Sequence, residues 1–298
     1  MNKLKQPTIG LAMSGSGNRS AFYLGFLEVL QQAGIKPDFI TACSGASIVA
    51  AIYASGALDR LTKDFLTLGT KDFVTLMTAK KGKGGFFSLD EVEKRIKHYT
   101  QGKQFSEVKP KLSFITVDIK SGQLIELLEG DLARAARISC TMPGIFAPVK
   151  LDGKILVDGG LLCTVPLSSL KKFKPDITIG IDIKATPHIF TRTYINIHKT
   201  LNFFKKMFFL DASQSKAWEK IGTFAVLGRS LDLIIDFKNK GKAEDRTCDL
   251  MVEPGFSTVV KTNLSNNAMK YYYQQGKLEA EKYLPKIQAL ISRKRYGH

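Results

Sequence analysis

The chain has 298 residues, is 44% hydrophobic, and carries 44 Lys and Arg against 27 Asp and Glu, for a formal charge of +17. A chain of this length buries roughly three-quarters of the surface that its unfolded form exposes, so its core needs no disulfide or metal. The apolar content excludes intrinsic disorder, and the composition excludes collagen-like and coiled-coil proteins.

Short apolar runs alternate with helical patterns along the first half of the chain. The first strand is predicted over Ile9–Met13, followed by a helix over Arg19–Ala33. A second strand over Asp38–Cys43 leads into a second helix over Ala46–Ala57. The later predictions are a helix over Ser88–Tyr99 and strands over Leu112–Ile119, Ile177–Ile183 and Asp249–Val252. This alternation predicts an α/β fold, a three-layer α/β/α architecture with a mainly parallel central sheet.

Two turn signals and one insert complete the organisation. Ser121–Gly122 and Asp152–Gly153 are turn dipeptides, and the second predicts a hairpin because Asp-Gly suits a type I′ turn. Residues at about 190–247 are basic and aromatic-rich and are predicted to form a mostly helical insert. No repeat or linker divides the chain, so a single domain is predicted over residues 1–298.

The cysteines and the apolar segments bear on location. The four cysteines form no CxxC pair and no zinc spacing, which predicts reduced thiols, no metal site and a cytoplasmic protein. The N-terminus lacks an apolar segment of signal-peptide length. Residues 39–58 carry no charge, but they are rich in small residues and broken at CSGAS, so we expect a buried strand and helix rather than a transmembrane helix.

The first candidate site is the loop Gly15–Ser16–Gly17 between the first strand and helix. Such a loop exposes N–H groups at a helix N-terminus, which favours negative charge. It fits a dinucleotide site with Asp38 as the acidic partner, or an oxyanion hole for acyl transfer. The alternative without function is an ordinary strand-to-helix turn.

The second candidate is Ala42–Cys43–Ser44–Gly45–Ala46, at the next strand-to-helix turn. It is similar to a nucleophile elbow, in which a tight bend exposes the Ser44 hydroxyl between small residues. Ala42 and Ala46 stand where glycine is usual. The alternative is that Ser44 caps a buried helix.

The third candidate is Asp158, which precedes two glycines at a predicted strand end. Its carboxylate could accept the serine proton as a general base. The alternative is a turn aspartate that bonds its own backbone. The other strand-end acids, Asp118 and Asp182, are predicted to be turn or capping groups.

Histidine is scarce, and a Ser-His-Asp triad, which would need His188 or His198, is not expected. His98 lies in a polar helix, His188 and His198 lie in the basic insert, and His298 is terminal. None follows a recognisable strand end, which favours a carboxylate as the base.

In combination and order, these segments resemble the patatin-like phospholipase family of serine acyl hydrolases. The resemblance runs from GLAMSGSGNR through ITACSGASIVAAIYASG to RAARISCTMPGIFAPVKLDGKILVDGGLLCTVP, and includes CDLMVEP and YYYQQGKLEAEKYLPKI. Its longest match is Ser139–Pro148. The resemblance implies a patatin-like fold, with Ser44 as nucleophile and Asp158 as its dyad partner. It also implies an oxyanion hole at Gly15, Ser16 and Gly17, loop support from Arg19, and an elbow at Ala42, Gly45 and Ala46.

This resemblance implies a lipid acyl hydrolase acting on phospholipid or lysophospholipid, with no cofactor and no metal. At Ser16, Ser20, Ala42 and Ala46 this sequence has serine or alanine where the family usually has glycine. If these replacements lower the catalytic rate, the expected cause is backbone strain at positive φ. The alternatives are a slow lipid-binding or regulatory family member and, less favoured, a nucleotide-binding module.

The charge then favours peripheral docking on an anionic membrane, with residues 201–210 either docking or forming a core helix. No nucleic acid is expected, since the basic residues are spread over the chain and no binding motif is present. The sequence specifies neither the headgroup nor the oligomeric state.

Overall fold

The computed structural model describes residues 6–15, 17–67, 85–183, 223–239, 245–255 and 266–296. Ser16, the aromatic segment 201–210 and three of the candidate histidines (His188, His198, His298) lie outside these residues. The described part of the predicted insert is helical over Thr223–Asn239.

The elements alternate along the chain as predicted. The strands are β1 (Ile9–Met13), β2 (Phe39–Cys43), β3 (Gly85–Phe87), β4 (Lys111–Asp118), β5 (Gln123–Leu127), β6 (Gly144–Phe146), β7 (Val149–Leu151), β8 (Lys154–Asp158), β9 (Ile177–Ile181) and β10 (Leu250–Val252). The α-helices are α1 (Ala21–Gln32), α2 (Gly45–Ala54), α3 (Leu58–Thr67), α4 (Asp90–Thr100), α5 (Leu132–Ser139), α6 (Leu167–Lys172), α7 (Thr223–Asn239) and α8 (Asn266–Tyr296).

The central sheet has the strand order β10-β9-β1-β2-β4-β8-β7, and β5 also pairs with β4. The five strands from β10 to β4 are parallel, whereas β5, β8 and β7 join antiparallel. The predicted mainly parallel α/β sheet is therefore confirmed. The predicted hairpin at Asp152–Gly153 joins β7 to β8, with φ values of 48° and 73° that suit a type I′ turn.

Helices cover both faces of this sheet. All five residues of β1 are buried, as is typical of a parallel strand with both faces covered. Leu11 and Met13 face the large core beneath α1, α2 and α5, whereas Ala12 faces Leu167 and Leu170 of α6. The result is the predicted three-layer arrangement. Residues 39–58 form β2 and α2, as expected, and no described helix combines the length and apolarity needed to cross a membrane.

Helices α1 and α8 pack backbone against backbone. A Cβ added at Gly25 would overlap the Tyr273 carbonyl oxygen, and one added at Gly276 would overlap the Phe22 carbonyl oxygen. Only glycine permits this approach at both positions. The contact fixes α1, and with it the loop that precedes α1, against the C-terminal helix.

The register of β4 brings two strand ends together. Cys43, the last residue of β2, pairs with Ile115, and Asp158, the last residue of β8, pairs with Thr116. Because β5 occupies the other edge of β4, strands β2 and β8 lie end to end along one edge. The residue that follows β2, Ser44, therefore meets the end of β8.

Candidate active site

Ser44 occupies a sharp turn between β2 and α2. Its φ is 54° and its ψ is −135°, and the residue is 8% exposed. A positive φ is costly for a residue with a Cβ, so the surrounding structure must hold this conformation. Although Ser44 stands at the N-cap position of α2, its side chain makes no capping hydrogen bond. The helix-capping interpretation is therefore wrong.

The Ser44 hydroxyl instead contacts Asp158. Ser44 Oγ donates to Asp158 Oδ2 at 2.5 Å, while Asp158 Oδ1 accepts from the Gly160 N–H at 2.8 Å. The carboxylate thus makes both the turn contact and the contact with serine that the sequence allowed. The intervening Gly159 is required, because a Cβ there would overlap the Ile115 carbonyl group.

Burial changes the protonation of the groups around this contact. It raises the pKa of Asp158 to about 6, although the hydrogen bonds from Ser44 and Gly160 oppose the rise. A carboxylate with this pKa can accept a proton near neutral pH. Burial and the charge of Asp158 also raise the pKa of the Cys140 thiol, which disfavours a competing thiolate nucleophile.

The glycine loop after β1 lies directly against the elbow. A Cβ added at Gly15 would lie 3.3 Å from Ser44 Cβ, and one added at Gly45 would lie 2.7 Å from the Gly17 carbonyl oxygen. Gly17 has a φ of 54°, which glycine adopts without strain. The described part of the predicted oxyanion loop is therefore adjacent to Ser44.

Arg19 follows this loop in a short 3-10 turn, Gly17–Ser20. Burial lowers the pKa of Arg19, and its electrostatic interactions with Tyr272, Tyr23 and Asp182 only partly oppose this shift. These neighbours place Arg19 between the loop, helix α8 and the end of β9. Its role in supporting the loop stays a prediction.

The two other strand-end acids differ from each other. Asp118 accepts from the Ser121 hydroxyl at 2.7 Å and from the Ile155 N–H at 3.1 Å, so the prediction of a turn group is confirmed. Asp182 was predicted to be a similar group, and that prediction is wrong. It is 1% exposed and forms an ion pair with Arg246 at 2.8 Å.

The three described replacements, Ala42, Ala46 and Ser20, do not carry the expected strain. Ala42 lies inside β2, Ala46 lies inside α2, and Ser20 has a φ of −58°. Alanine and serine adopt these regular conformations without penalty, so the mechanism expected for a lost rate does not apply at these positions. The positive φ instead belongs to Ser44 itself.

The geometry does not favour a dinucleotide site. Asp38 precedes β2 and accepts from the Ile9 N–H at 2.8 Å, at the start of β1. The glycine loop follows the end of β1, so the two lie at opposite ends of five-residue parallel strands, roughly 16 Å apart. Asp38 therefore cannot serve as the acidic partner of that loop.

Neither histidine nor a metal cluster supplies an alternative site among the described residues. His98 is exposed on α4, where its ring contacts Tyr99. Across the described ranges, no group of three or more His, Cys, Asp or Glu could hold a metal ion.

Two residues beside the site had no assigned role in the sequence. Ser139 Oγ accepts from the Ser44 N–H at 2.9 Å, and the Thr141 carbonyl accepts from the Asp158 N–H at 2.8 Å. Both lie at the start of Ser139–Pro148, the longest segment of the resemblance. That match was the signal in the sequence that could have identified them.

Fold and site together have the form of an α/β acyl hydrolase. The family model described as patatin-like phospholipase matches residues 11–171, more than half of the chain. The chain therefore belongs to the patatin-like phospholipase family, a family of lipid acyl hydrolases.

Its relatives are distant. An NTE family protein of Mycobacterium tuberculosis is 22% identical over 180 residues, which cover 60% of this chain and 50% of the relative. Lysophospholipase NTE1 of Scheffersomyces stipitis is 25% identical over 223 residues, which cover 69% of this chain and 13% of that protein. The chain thus spans about half the length of the mycobacterial relative. Among solved structures, VipD of Legionella pneumophila is similar with a TM-score of 0.45 and 12% identity, over 95% of this chain and 67% of VipD.

Proposed function

We propose that this protein hydrolyses fatty-acyl esters of phospholipids or lysophospholipids through a dyad of Ser44 and Asp158. The observation that carries the proposal is the 2.5 Å hydrogen bond from Ser44 Oγ to a buried carboxylate at a strained strand-to-helix turn. A nucleophile within hydrogen-bond reach of its base is the arrangement that acyl transfer requires. Family membership and the relative named a lysophospholipase support the choice of a lipid ester.

In the first half-reaction, Asp158 accepts the hydroxyl proton as Ser44 Oγ attacks the ester carbonyl carbon. N–H groups of Gly15–Gly17, and that of Gly45 after the nucleophile, would stabilise the oxyanion. Each such donor is worth roughly 3–4 kcal/mol in comparable sites. When the tetrahedral intermediate collapses, the ester C–O bond breaks, and Asp158 returns the proton to the leaving alcohol. An acyl-Ser44 ester remains.

In the second half-reaction, Asp158 accepts a proton from water as the water oxygen attacks the acyl carbon. Collapse of this second intermediate breaks the bond to Ser44 Oγ, which regains its proton from Asp158. The fatty acid leaves and the dyad is restored. One carboxylate thus acts as base and then as acid in each half-reaction, with a pKa of about 6 that suits both.

The activity is tested by fatty-acid release from phospholipid and lysophospholipid vesicles, together with labelling by a fluorophosphonate probe. Ser44→Ala should abolish both, and Asp158→Asn should reduce both by orders of magnitude. Ser113→Ala is the matched control, because Ser113 is a fully buried serine on β4 whose hydroxyl has no hydrogen-bond partner among the described residues. Undiminished release by Ser44→Ala or Asp158→Asn would refute the dyad. Lipid binding without labelling would favour the alternative of a non-catalytic lipid-binding protein.

A peripheral contact with an anionic bilayer belongs to the same proposal. In residues 201–210, pairs of phenylalanines lie on either side of two lysines, a composition that suits the membrane interface. Co-sedimentation with anionic vesicles should fall when Phe204→Asp and Phe208→Asp are combined. Unchanged binding would contradict docking through this segment.

A further inference from the structure

We propose that the segment Ser139–Thr141 is a clamp that positions both members of the dyad, with the Ser139 hydroxyl holding the backbone of the nucleophile. The catalytic consequence of this inference depends on the function proposed above, whereas its structural content does not. Ser139 and Thr141 are positioning residues, since each acts through Ser44 or Asp158.

The hydroxyl of Ser139 bridges the nucleophile to the sheet. It donates to the Ile115 carbonyl oxygen at 2.7 Å and accepts from the Ser44 N–H at 2.9 Å, and Ser139 is fully buried. Because its single proton is directed to Ile115, its oxygen is left to accept from Ser44. The Ser44 N–H is therefore occupied by Ser139 and is not available to an oxyanion.

Ser44 is held from both sides of its backbone. Its carbonyl oxygen accepts from the Ser47 hydroxyl at 2.6 Å and from the Ser47 N–H at 2.8 Å, within the first turn of α2. On the N–H side, Ser139 is the contact from outside this turn. Since a φ of 54° is unfavourable for serine, the bond to Ser139 opposes relaxation of the elbow towards an extended conformation.

The same segment fixes the base. The Thr141 carbonyl accepts from the Asp158 N–H at 2.8 Å, and Thr141 is itself held by its N–H to the Ile138 carbonyl at 3.1 Å. The Thr141 hydroxyl also donates to the Arg137 carbonyl at 3.1 Å. Ser44 and Asp158 lie far apart in sequence, yet each is hydrogen-bonded to the short segment at the end of α5. Ser44 bonds to Ser139, and Asp158 bonds to Thr141.

This arrangement predicts a specific kinetic defect. Ser139→Ala removes the acceptor for the Ser44 N–H and the donor for the Ile115 carbonyl, in a buried place where water does not replace them. Small displacements of a nucleophile reduce rates by up to about 100-fold. We expect kcat and the fluorophosphonate labelling rate to fall between about 10-fold and 100-fold, with KM within about twofold, because Ser139 does not contact substrate.

The experiment compares Ser139→Ala with Ser113→Ala, which alters a buried serine of β4 whose hydroxyl has no hydrogen-bond partner among the described residues. Ser139→Cys is the second variant, because it keeps a similar volume and a weaker acceptor, and an intermediate loss is expected. A purely structural role would lower the Tm of Ser139→Ala without changing kcat well below that temperature. Should Ser139→Ala fail to fold, Ser139→Cys still decides, and a wild-type rate in that folded variant would overturn the inference.

A measurement without substrate separates this inference from the proposed function. Hydrogen exchange of the Ser44 amide, followed by NMR, should be protected in the wild type and accelerated in Ser139→Ala but not in Ser113→Ala. If the wild type neither hydrolyses esters nor is labelled at Ser44, the proposed function fails, and amide exchange still tests the clamp. If labelling requires Ser44 while Ser139→Ala matches the wild type in rate and exchange, the clamp is refuted and the function stands.

Discussion

Replacing the base should stabilise the protein while inactivating it. Asp158 is 5% exposed, and burial raises its pKa from 3.8 to about 6. The folded state therefore binds this proton more tightly than the unfolded state does. Between these two pKa values, the free energy of unfolding falls as pH rises, and the full penalty is present above about pH 6.

The size of the penalty follows from the shift. A change from 3.8 to about 6 corresponds to roughly 3 kcal/mol. Asp158→Asn removes the charge while its amide oxygen can still accept from the Gly160 N–H. At about pH 8 we expect this variant to be more stable than the wild type by about 1–3 kcal/mol, since imperfect amide contacts offset part of the gain.

Urea unfolding of both proteins at about pH 4 and about pH 8 provides the assay. Other carboxyl groups with shifted pKa values, such as Asp118, contribute equally to both proteins and cancel in the difference. At the lower pH, where the wild-type carboxyl is protonated, the stability difference between the two proteins should shift by roughly 2–3 kcal/mol in favour of the wild type. A difference that does not change with pH, or that shifts in favour of Asp158→Asn as pH falls, would refute the assignment of a buried, raised-pKa carboxylate.

Three further outcomes follow from the same geometry. The kcat/KM for ester hydrolysis should rise about tenfold per pH unit at low pH and level off above a pKa near 6, and a flat profile would exclude Asp158 as the base. Gly159→Ala should abolish most activity and lower stability, because the added Cβ overlaps a β4 carbonyl group. The control is Gly255→Ala, whose added Cβ would meet no described atom within 4 Å, and its free energy of unfolding should stay within about 0.5 kcal/mol of the wild-type value. Gly25→Ala should lower stability by about 1–3 kcal/mol by separating α1 from α8, and an unchanged urea midpoint would contradict the backbone contact with Tyr273.

Elements with strong local signals were predictable from the sequence. Strand β1 has the predicted bounds, Ile9–Met13, because an apolar run ends at a glycine loop. The hairpin at Asp152–Gly153 was equally clear, since few residue pairs accept two positive φ values. Strand β5 was not predicted, because Gln123–Leu127 is a half-exposed partner of β4 without a continuous apolar run.

The candidate site was only partly accessible to the same reasoning. Ser44 and Asp158 stand out because their motifs combine small residues with a nucleophile or an acid. Their meeting depends on the register of β4, which pairs Ile115 and Thr116 with the ends of two different strands. The resemblance marked the segment that contains Ser139, but the contact of Ser139 with Ser44 was not identifiable, because it spans 95 positions.

The glycine contact between α1 and α8 has a consequence for defining the folding unit. The family match ends at residue 171, whereas α8 begins at Asn266 and its Gly276 lies on the α1 backbone. A fragment cut at the family boundary would uncover the apolar side of α1 next to the glycine loop that precedes it. We expect such fragments to aggregate. In relatives that pack the same helix against α1, we expect small residues to occur together at positions 25 and 276.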